Sequence, residues 1–198
     1  MALVTRAIVK TYLGIASSND DDLLDDLIEA SRAIIHAYTR RVFDATSSVK
    51  KFDAEGDVDG ANLYFSSGLE LAGEPSAVTN GDGTSLVADT DYVLAPLNLF
   101  PAYGLTILPS SSNYWVGKSN GDHINAIAVT GAWGHSASGS TPSDIVQACT
   151  RLAAFLYRQR DTNADLDRPL LVEGSVVLPS AIPADVERML APYVMRAL

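Results

Sequence analysis

The segment GHSASG, residues 134–139, comes closest in this sequence to a catalytic motif. A nucleophile elbow places its serine on a sharp turn and needs a glycine two residues before and two residues after that serine. Gly134 satisfies the first requirement for Ser136, but Ser138 stands where the second glycine is needed. We therefore interpret the segment as a polar loop before a helix and assign no catalytic role to Ser136.

An acidic segment follows part of the spacing of a calcium-binding loop. Asp57, Asp59 and Gly60 match its third, fifth and sixth positions, which places Glu55 at position one. Position twelve would be Ser66, which cannot provide the bidentate carboxylate that closes such a loop. The sequence favours an ordinary acidic turn here.

A second segment with similar spacing begins at Asp161 and continues through Asn163 and Asp165. Leu166 occupies the position of the required glycine, and Glu173 falls one place late. Weak cation binding stays open as an alternative for this segment, but no metal ligand is assigned.

The histidines and the single cysteine are too scattered to form a site by spacing. His36 lies within a predicted helix, His123 and His135 lie in predicted loops, and no helical histidine pair or triad spacing occurs. Cys149 falls on the apolar face of a predicted helix, which is typical of a small buried hydrophobic residue. Glycine-rich phosphate loops are also missing. We expect no catalytic residue, no cofactor and no metal, and hence a protein that is not an enzyme.

Length, composition and charge narrow the classes of protein to which this chain could belong. The 198 residues are 47% hydrophobic, which is enough for one domain with its own core. A net charge of -10 opposes simple binding of nucleic acid, because affinity for phosphates comes from clustered Lys and Arg. An acidic surface does suit a conduit that DNA passes without being held. No run of about 18 apolar residues and no secretory signal pattern occurs, so we expect a soluble protein made in the cytoplasm.

Two helices are predicted near the start of the chain. The first spans residues 5–13, with Thr5 as its cap and a left-handed exit at Gly14. The second runs from Asp20 to about Arg41, with Ser18 or Asn19 as its cap. Apolar residues recur at helical spacing in both: Ile8, Val9, Tyr12 and Leu13 in the first, and Leu23, Leu24, Leu27, Ile28, Ile34, Ile35, Tyr38 and Val42 in the second.

The spacing of apolar residues then changes. Between about Val49 and Trp133 they occur in short β-type runs that are separated by turn clusters. These runs are NLYF, LEL, AVT, SLV, DYVLA, LTIL and NAIAVTGAW. The NGDG segment at 80–83 predicts a hairpin, because Asn and Gly tolerate the positive φ of tight turns. Residues 110–123 are typical of an exposed loop.

Helical pattern returns after residue 140. Thr141 and Pro142 predict a helix start, and a buried face is expected from Ile145, Cys149, Leu152 and Leu156. Residues 161–179 lack helical period and predict an extended excursion, after which a short final helix is stopped or kinked at Pro192. The fold class expected is therefore α+β: one domain over 1–198, with 1–45 and 141–198 forming a helical base and 46–140 a small antiparallel β insertion.

Two groups of residues are candidates for contact with partners. Tyr114 and Trp115 fall in the predicted loop, where a large aromatic marks a contact surface about as often as it packs back onto its own sheet. A terminal apolar face could be core or could dock a neighbour, and it comprises Val186, Met189, Leu190, Tyr193 and Val194.

Segments at both ends resemble the head-tail connector proteins of tailed bacteriophages. VKTYLGI, a short acidic spacer and DDLLDDLIEASRAIIHAYTRRVF resemble the N-terminal signature of that family, and AVTGAWG, TPSDIVQACTRLAAFLYRQR and LPSAIPADVERMLAPYV are similar to its later segments. Little in the β region matches. The resemblance implies a subunit that binds beneath the portal protein as a closed, dodecameric ring, passes double-stranded DNA through its lumen and catalyses no reaction.

Other functions remain open at the level of sequence. The resemblance is compatible with a different place in the neck, such as a stopper or a tail-completion protein, and with a downstream neck or tail protein as partner. A different class would be a binding module, in which the β insertion and the loop at Tyr114 recognise a carbohydrate or a host protein. No membrane partner is expected.

Overall fold

The computed structural model describes residues 3–65, 69–137, 140–161, 170–172, 175–177 and 182–195. The chain forms two compact units: a helical unit built from Met1–Arg40 and Thr141–Val194, and a β unit built from Arg41–Ser140. The α+β fold class expected from the sequence is confirmed. None of the described helices is both long and apolar enough to cross a membrane.

The helical unit contains α1 (Arg6–Leu13), α2 (Asp21–Thr39), α3 (Ser143–Asp161), α4 (Ala184–Leu190) and a 3-10 turn at Ala191–Tyr193. Helix α3 packs against the other three helices, and α1 and α4 also contact α2. The 3-10 turn holds Pro192, as expected for a residue that cannot continue a helix. Two short antiparallel strands, β9 (Leu170–Val172) and β10 (Ser175–Val177), lie in the predicted extended excursion, whose other residues between 162 and 179 lie outside the described residues.

The ends of the first two helices differ from the sequence prediction. Thr5 precedes α1 but makes no side-chain cap, whereas Gly14 takes the predicted left-handed conformation. Helix α2 begins one residue later than expected: Asp20 is its N-cap residue and also makes no side-chain cap. Thr5 is therefore the N-cap residue as predicted but does not cap with its side chain, and the prediction of Ser18 or Asn19 as the cap of α2 is wrong. Helix α2 ends at a left-handed Arg40, so Val42 lies beyond it and is exposed rather than part of the buried stripe.

Burial in the helical unit follows the 3.6-residue period. Helix α2 buries Leu24, Ile28 and Ile35 together with the small polar residues Ser31 and Thr39. The hydroxyl of Ser31 donates to the carbonyl of Leu27 at 2.7 Å, and that of Thr39 donates to the carbonyl of Ile35 at 2.7 Å. Polar side chains therefore lie within the apolar stripe without leaving a buried donor unpaired.

Helix α3 buries the predicted residues Ile145, Cys149 and Leu152 completely, whereas Leu156 is only half-buried. Tyr157 takes the buried position near the end of the helix, and its hydroxyl donates to the Asp20 carboxylate at 2.7 Å. Alanines complete the buried face at Ala148, Ala153 and Ala154. Small residues at these positions allow the surrounding helices to approach closely.

Within the described part of the β unit, strands form two four-stranded antiparallel sheets. The first has the order β1-β8-β4-β5, from β1 (Thr46–Phe52), β8 (Ile127–Trp133), β4 (Ala77–Thr79) and β5 (Ser85–Leu86). The second has the order β2-β3-β7-β6, from β2 (Val58–Asp59), β3 (Asn62–Tyr64), β7 (Gly104–Ile107) and β6 (Tyr92–Ala95). Of the β-type runs in the sequence, only LEL fails to form a strand, since Leu71 makes isolated bridges alone.

The core of the β unit lies on the faces that strand alternation buries. Along β8, the buried residues are every second one, from Ile127 to Trp133. The rings of Phe52, Phe65 and Trp133 contact one another, with centroids 4.9–5.8 Å apart. The predicted hairpin joins β4 to β5: Asn80 donates its backbone N–H to Thr84, and Gly83 has a φ of 89°.

Candidate functional site

Some residues of the terminal apolar face, defined above on α4 and the turn after it, lie in the core, and the others lie at the surface. Val186 and Leu190, one turn apart on α4, are fully buried inside the helical unit. Met189, Tyr193 and Val194 are half-buried. Only these last three retain apolar surface that a neighbouring molecule could contact.

Polar contacts fix α4 and the turn that follows it. The hydroxyl of Tyr193 lies 2.8 Å from both carboxylate oxygens of Asp144, in the first turn of α3. Burial, and then this carboxylate, raise the pKa of Tyr193 to about 12, so the phenol stays protonated and can donate. Arg151 pairs with Asp185, and this pairing lowers the pKa of the Asp185 carboxyl. These contacts tie the C-terminal segment to α3.

The two aromatic candidates in the loop, Tyr114 and Trp115, differ in burial. Trp115 is buried in the core of the β unit, and its indole N–H donates to the carbonyl of Ala61 at 2.8 Å. Tyr114 has 75% of its surface exposed. Of the two, only Tyr114 can offer a ring to a partner without the sheet being opened.

Asn80 holds the backbone of this loop in place. Its side-chain amide donates to the carbonyl of Tyr114 at 2.6 Å, and its side-chain oxygen accepts from the N–H of Val116 at 3.1 Å. The same oxygen accepts from Gly81 at 3.0 Å. One asparagine in the β4–β5 turn therefore links the hairpin to the loop, and Tyr114 is presented from a fixed backbone.

Ser136 is buried and contacts its neighbour in sequence. Its Oγ lies 2.8 Å from Nδ1 of His135, and its carbonyl accepts from the N–H of Ala45. The rest of the predicted elbow, Ser138 and Gly139, lies outside the described residues. The serine hydroxyl is thus in contact with a protein side chain and is screened from solvent.

The first acidic segment, from Glu55 to Gly60, contributes to a turn. An oxygen of the Asp57 carboxylate accepts from the N–H of Asp53 at 2.9 Å, and Gly60 takes a positive φ between β2 and β3. Ser66 and most of the second segment, from Asp161 to Glu173, lie outside the described residues. Among the residues that the structure does describe, no three His, Cys, Asp or Glu side chains cluster where they could hold a metal ion.

One exposed apolar feature of the described residues was not singled out from the sequence. We name the segment Pro96–Pro101, between β6 and β7, the apolar loop. Its side chains are exposed by 62% at Leu97, 63% at Leu99 and 52% at Phe100. The signal available in the sequence was the run PLNLFP, in which two prolines enclose four residues of which three are apolar.

Acidic side chains flank the apolar loop. A hollow of about 300 Å³ beside it is lined by Leu97, Phe100, Glu74 and Asp89. Burial raises the pKa of Tyr92, and the charges of Glu74 and Asp89 raise it further. The loop therefore combines apolar side chains with a negative rim.

A second apolar surface lies on the helical unit. We name it the α1 groove: a shallow depression of about 410 Å³ lined by Ala7, Ile8, Thr11, Tyr12, Gln147 and Thr150. The sequence placed Ile8 and Tyr12 on one apolar face with Val9; in the structure Val9 is buried, whereas Ile8 and Tyr12 are exposed. Tyr12 also lines a neighbouring hollow with Arg151 and Arg158.

No protein family and no curated protein matches this chain. Solved structures do match it, and those below come from gene transfer agent (GTA) particles. A chain of the neck of an empty GTA particle, computed with C6 symmetry, has a TM-score of 0.62 and 16% identity, over 98% of this chain and 90% of that chain. A chain of the neck of a native GTA particle, computed with C12 symmetry, has a TM-score of 0.57 and 18% identity, over 97% and 89%. A chain of the virion of a native GTA particle has a TM-score of 0.56 and 18% identity, over 98% and 90%.

Proposed function

We propose that this chain is a structural subunit of the neck of a tailed bacteriophage or phage-like particle. The fold is the observation that supports the proposal: the structure, including both units, matches neck chains of GTA particles over at least 97% of this chain. At 16–18% identity the likeness is one of fold, and the residue patterns at both ends of the chain add an independent resemblance to connector proteins.

Within the neck, we assign the chain to a closed ring of twelve copies that acts as an adaptor beneath the portal. Necks computed with C6 and C12 symmetry contain chains repeated around an axis, and a ring needs contacts between two different patches of each subunit. A chain with two units of different composition can supply two such patches. In this proposal 1–198 act together as one connector domain.

The charge of the chain fits a conduit for DNA. Each subunit has a net charge of -10, so a ring of copies repels phosphates as a whole. Double-stranded DNA would pass through such a ring without specific binding and without a reaction. The partners in this arrangement are other copies of the chain, the portal protein on the head side and a stopper or other neck protein on the tail side. The protein would be made in the host cytoplasm and reside in the virion neck.

Purified protein tests whether the chain assembles into rings. Native mass spectrometry is expected to find an assembly of twelve subunits of 21.0 kDa each, and negative-stain micrographs are expected to show rings with a central hole. A protein that stays monomeric at every concentration and instead binds glycans on an array would contradict the proposal and favour the β unit as a carbohydrate-binding module.

A further inference from the structure

We propose that the apolar loop of one copy docks into the α1 groove of the next copy, and that this contact joins neighbouring subunits of the ring. The inference rests on the proposed function, because it supplies the contact that a ring of copies requires. It names the two surfaces involved, Pro96–Pro101 on the β unit and the face of α1 beside α3 on the helical unit.

The apolar loop has the features of an inserting element. Leu97, Leu99 and Phe100 are each more than half exposed and lie within four consecutive residues. Isolated exposed apolar residues are common on soluble proteins, but a contiguous group rimmed by polar residues marks a binding surface. Phe100 and the leucines are large enough to fill a hollow on a partner.

The α1 groove has the features of a receiving element. Ile8 and Tyr12 are four residues apart on α1, so their side chains are neighbours on one face of the helix. Gln147 and Thr150 of α3 complete the lining. An apolar helix face beside a second helix is a common receptor for apolar anchors.

The charges beside the two surfaces have opposite sign. Glu74 and Asp89 flank the apolar loop. The hollow that adjoins the α1 groove at Tyr12 contains Arg151 and Arg158, of which Arg151 already pairs with Asp185. The exposed Arg158 therefore gives this end of the groove a positive charge. Opposite charges at the rim favour encounter and fix the orientation of docking.

A second copy of the chain is the occupant that fits these observations. The loop and the groove belong to different units of the same chain, so each subunit carries both halves of the contact. A contact between two different patches repeats from one copy to the next and closes when the rotation is fixed, whereas a contact between identical patches stops at a dimer. Docking of the loop in the groove is thus a contact that builds rings.

Cysteine cross-linking tests the contact directly. Under mild oxidation, the double variant Tyr12→Cys/Leu99→Cys is expected to form a ladder of covalent oligomers on a denaturing gel, because each copy links to the next. Each single variant can form nothing larger than a dimer. The native Cys149 does not compete, because it is buried and its pKa is raised to about 12. A double variant that gives no species beyond those of the single variants would overturn the inference.

Matched substitutions test the energetic contribution of the loop. Leu99 and Ile124 are both 63% exposed, so Leu99→Ser and Ile124→Ser remove similar exposed apolar side chains. Leu99→Ser is expected to weaken ring assembly roughly tenfold or more, as loss of a central apolar anchor does, while Ile124→Ser leaves assembly unchanged. Circular dichroism of both variants checks that the subunit remains folded. Equal assembly of the two variants would contradict the proposal.

Charge reversal provides a rescue experiment. Glu74→Arg is expected to weaken assembly, and adding Arg158→Glu is expected to restore part of it, since the two reversed charges again have opposite sign. If the wild-type protein forms rings and the loop variants form them equally well, the docking contact is rejected and the proposed function stays intact. A wild-type protein that never self-associates would reject the ring itself and the docking contact with it.

Discussion

Burial decides the chemistry of the single thiol in this protein. Cys149 lies in the middle of α3 with no exposed surface, and desolvation raises its pKa to about 12. The thiolate, which is the reactive form, is therefore nearly absent at neutral pH. A cysteine in this state acts as a small apolar residue, in agreement with the sequence interpretation.

We predict that Cys149 in the folded protein does not react with a thiol reagent such as 5,5′-dithiobis(2-nitrobenzoic acid) at pH 8. The reagent needs both access and a thiolate, and the folded chain offers neither. Reaction is expected to become complete in denaturant. The variant Ile124→Cys, with an exposed site, is the positive control. Rapid labelling of the folded wild-type protein would contradict the burial of α3.

A buried ion pair sits inside the β unit. The guanidinium of Arg41 donates to the carboxylate of Glu70, whose side chain is only 1% exposed. Desolvation raises the pKa of Glu70, and the charge of Arg41 opposes that rise without cancelling it. Arg41, together with a hydrogen bond from Tyr103, therefore favours the charged form of the Glu70 carboxyl.

Removing one partner of this pair is expected to lower the free energy of unfolding more than removing both partners. The variant Arg41→Met leaves Glu70 buried without its cation, and we expect it to lose about 3 kcal/mol of unfolding free energy. The double variant Arg41→Met/Glu70→Leu is expected to recover most of that loss, because no uncompensated charge remains. Urea denaturation of the two variants measures the difference. A double variant no more stable than Arg41→Met would show that the buried charge of Glu70 is not the source of the loss.

At the scale of elements, the sequence predicted which segments form helices and strands. The long stripe from Leu23 to Ile35 and the buried face from Ile145 to Leu152 have a strong 3.6-residue period, and tertiary packing agrees with it. Short apolar runs bounded by turn residues gave six of the eight described strands of the β unit. Strand β1 was missed because TSSVKKF has few apolar residues, and β2 was missed because it lies within the acidic turn segment. Local pattern was sufficient where apolar residues mark the buried face.

Features that depend on distant partners could not be predicted. The carboxylate of Asp20 accepts from Tyr157, which is 137 residues away, and Trp115 donates to Ala61, which is 54 residues away. The pattern of Ile8 and Tyr12 is the same whether a helix face is buried within the chain or left for another molecule. A periodic pattern identifies an apolar face and does not identify what covers it.

Close approach between strands makes a particular glycine necessary. A Cβ added at Gly104 in β7 would lie 2.5 Å from the backbone carbonyl oxygen of Leu63 in β3, and backbone cannot move aside cheaply. Gly73 has open space around it and no positive φ. The two glycines therefore provide a matched pair.

We predict that Gly104→Ala lowers the unfolding free energy by about 2 kcal/mol, since the paired strands must separate to admit the methyl group. Gly73→Ala is expected to be neutral or slightly stabilising, because it only restricts the unfolded chain. Thermal unfolding of both variants tests this. Equal melting temperatures would contradict the register of β3 against β7.

The edge strand β1 of the first sheet carries charged side chains that disfavour pairing with another copy. Strand β1 is an edge strand seven residues long, and it carries the consecutive lysines Lys50 and Lys51. Charged residues on an edge strand disfavour strand addition by another chain. Copies of this chain would then meet through side-chain surfaces rather than by extending the sheet.

At the scale of the whole molecule, the two units together account for the proposed role. The helical unit and the β unit each have buried apolar residues of their own, and each exposes an apolar surface among its described residues: the α1 groove on the helical unit and the apolar loop on the β unit. A subunit with two different contact surfaces and an acidic charge suits a ring around DNA. In this account the function of the protein lies in the surfaces between copies.

Localisation in assembled particles tests the central claim most directly. Particles produced from the genome that encodes this chain would be labelled with a gold-conjugated antibody against the purified protein and viewed by electron microscopy. We expect label at the junction of head and tail, and averaged images of that junction should contain a ring of twelve copies. Label spread over the capsid, or its absence from purified particles, would contradict the account.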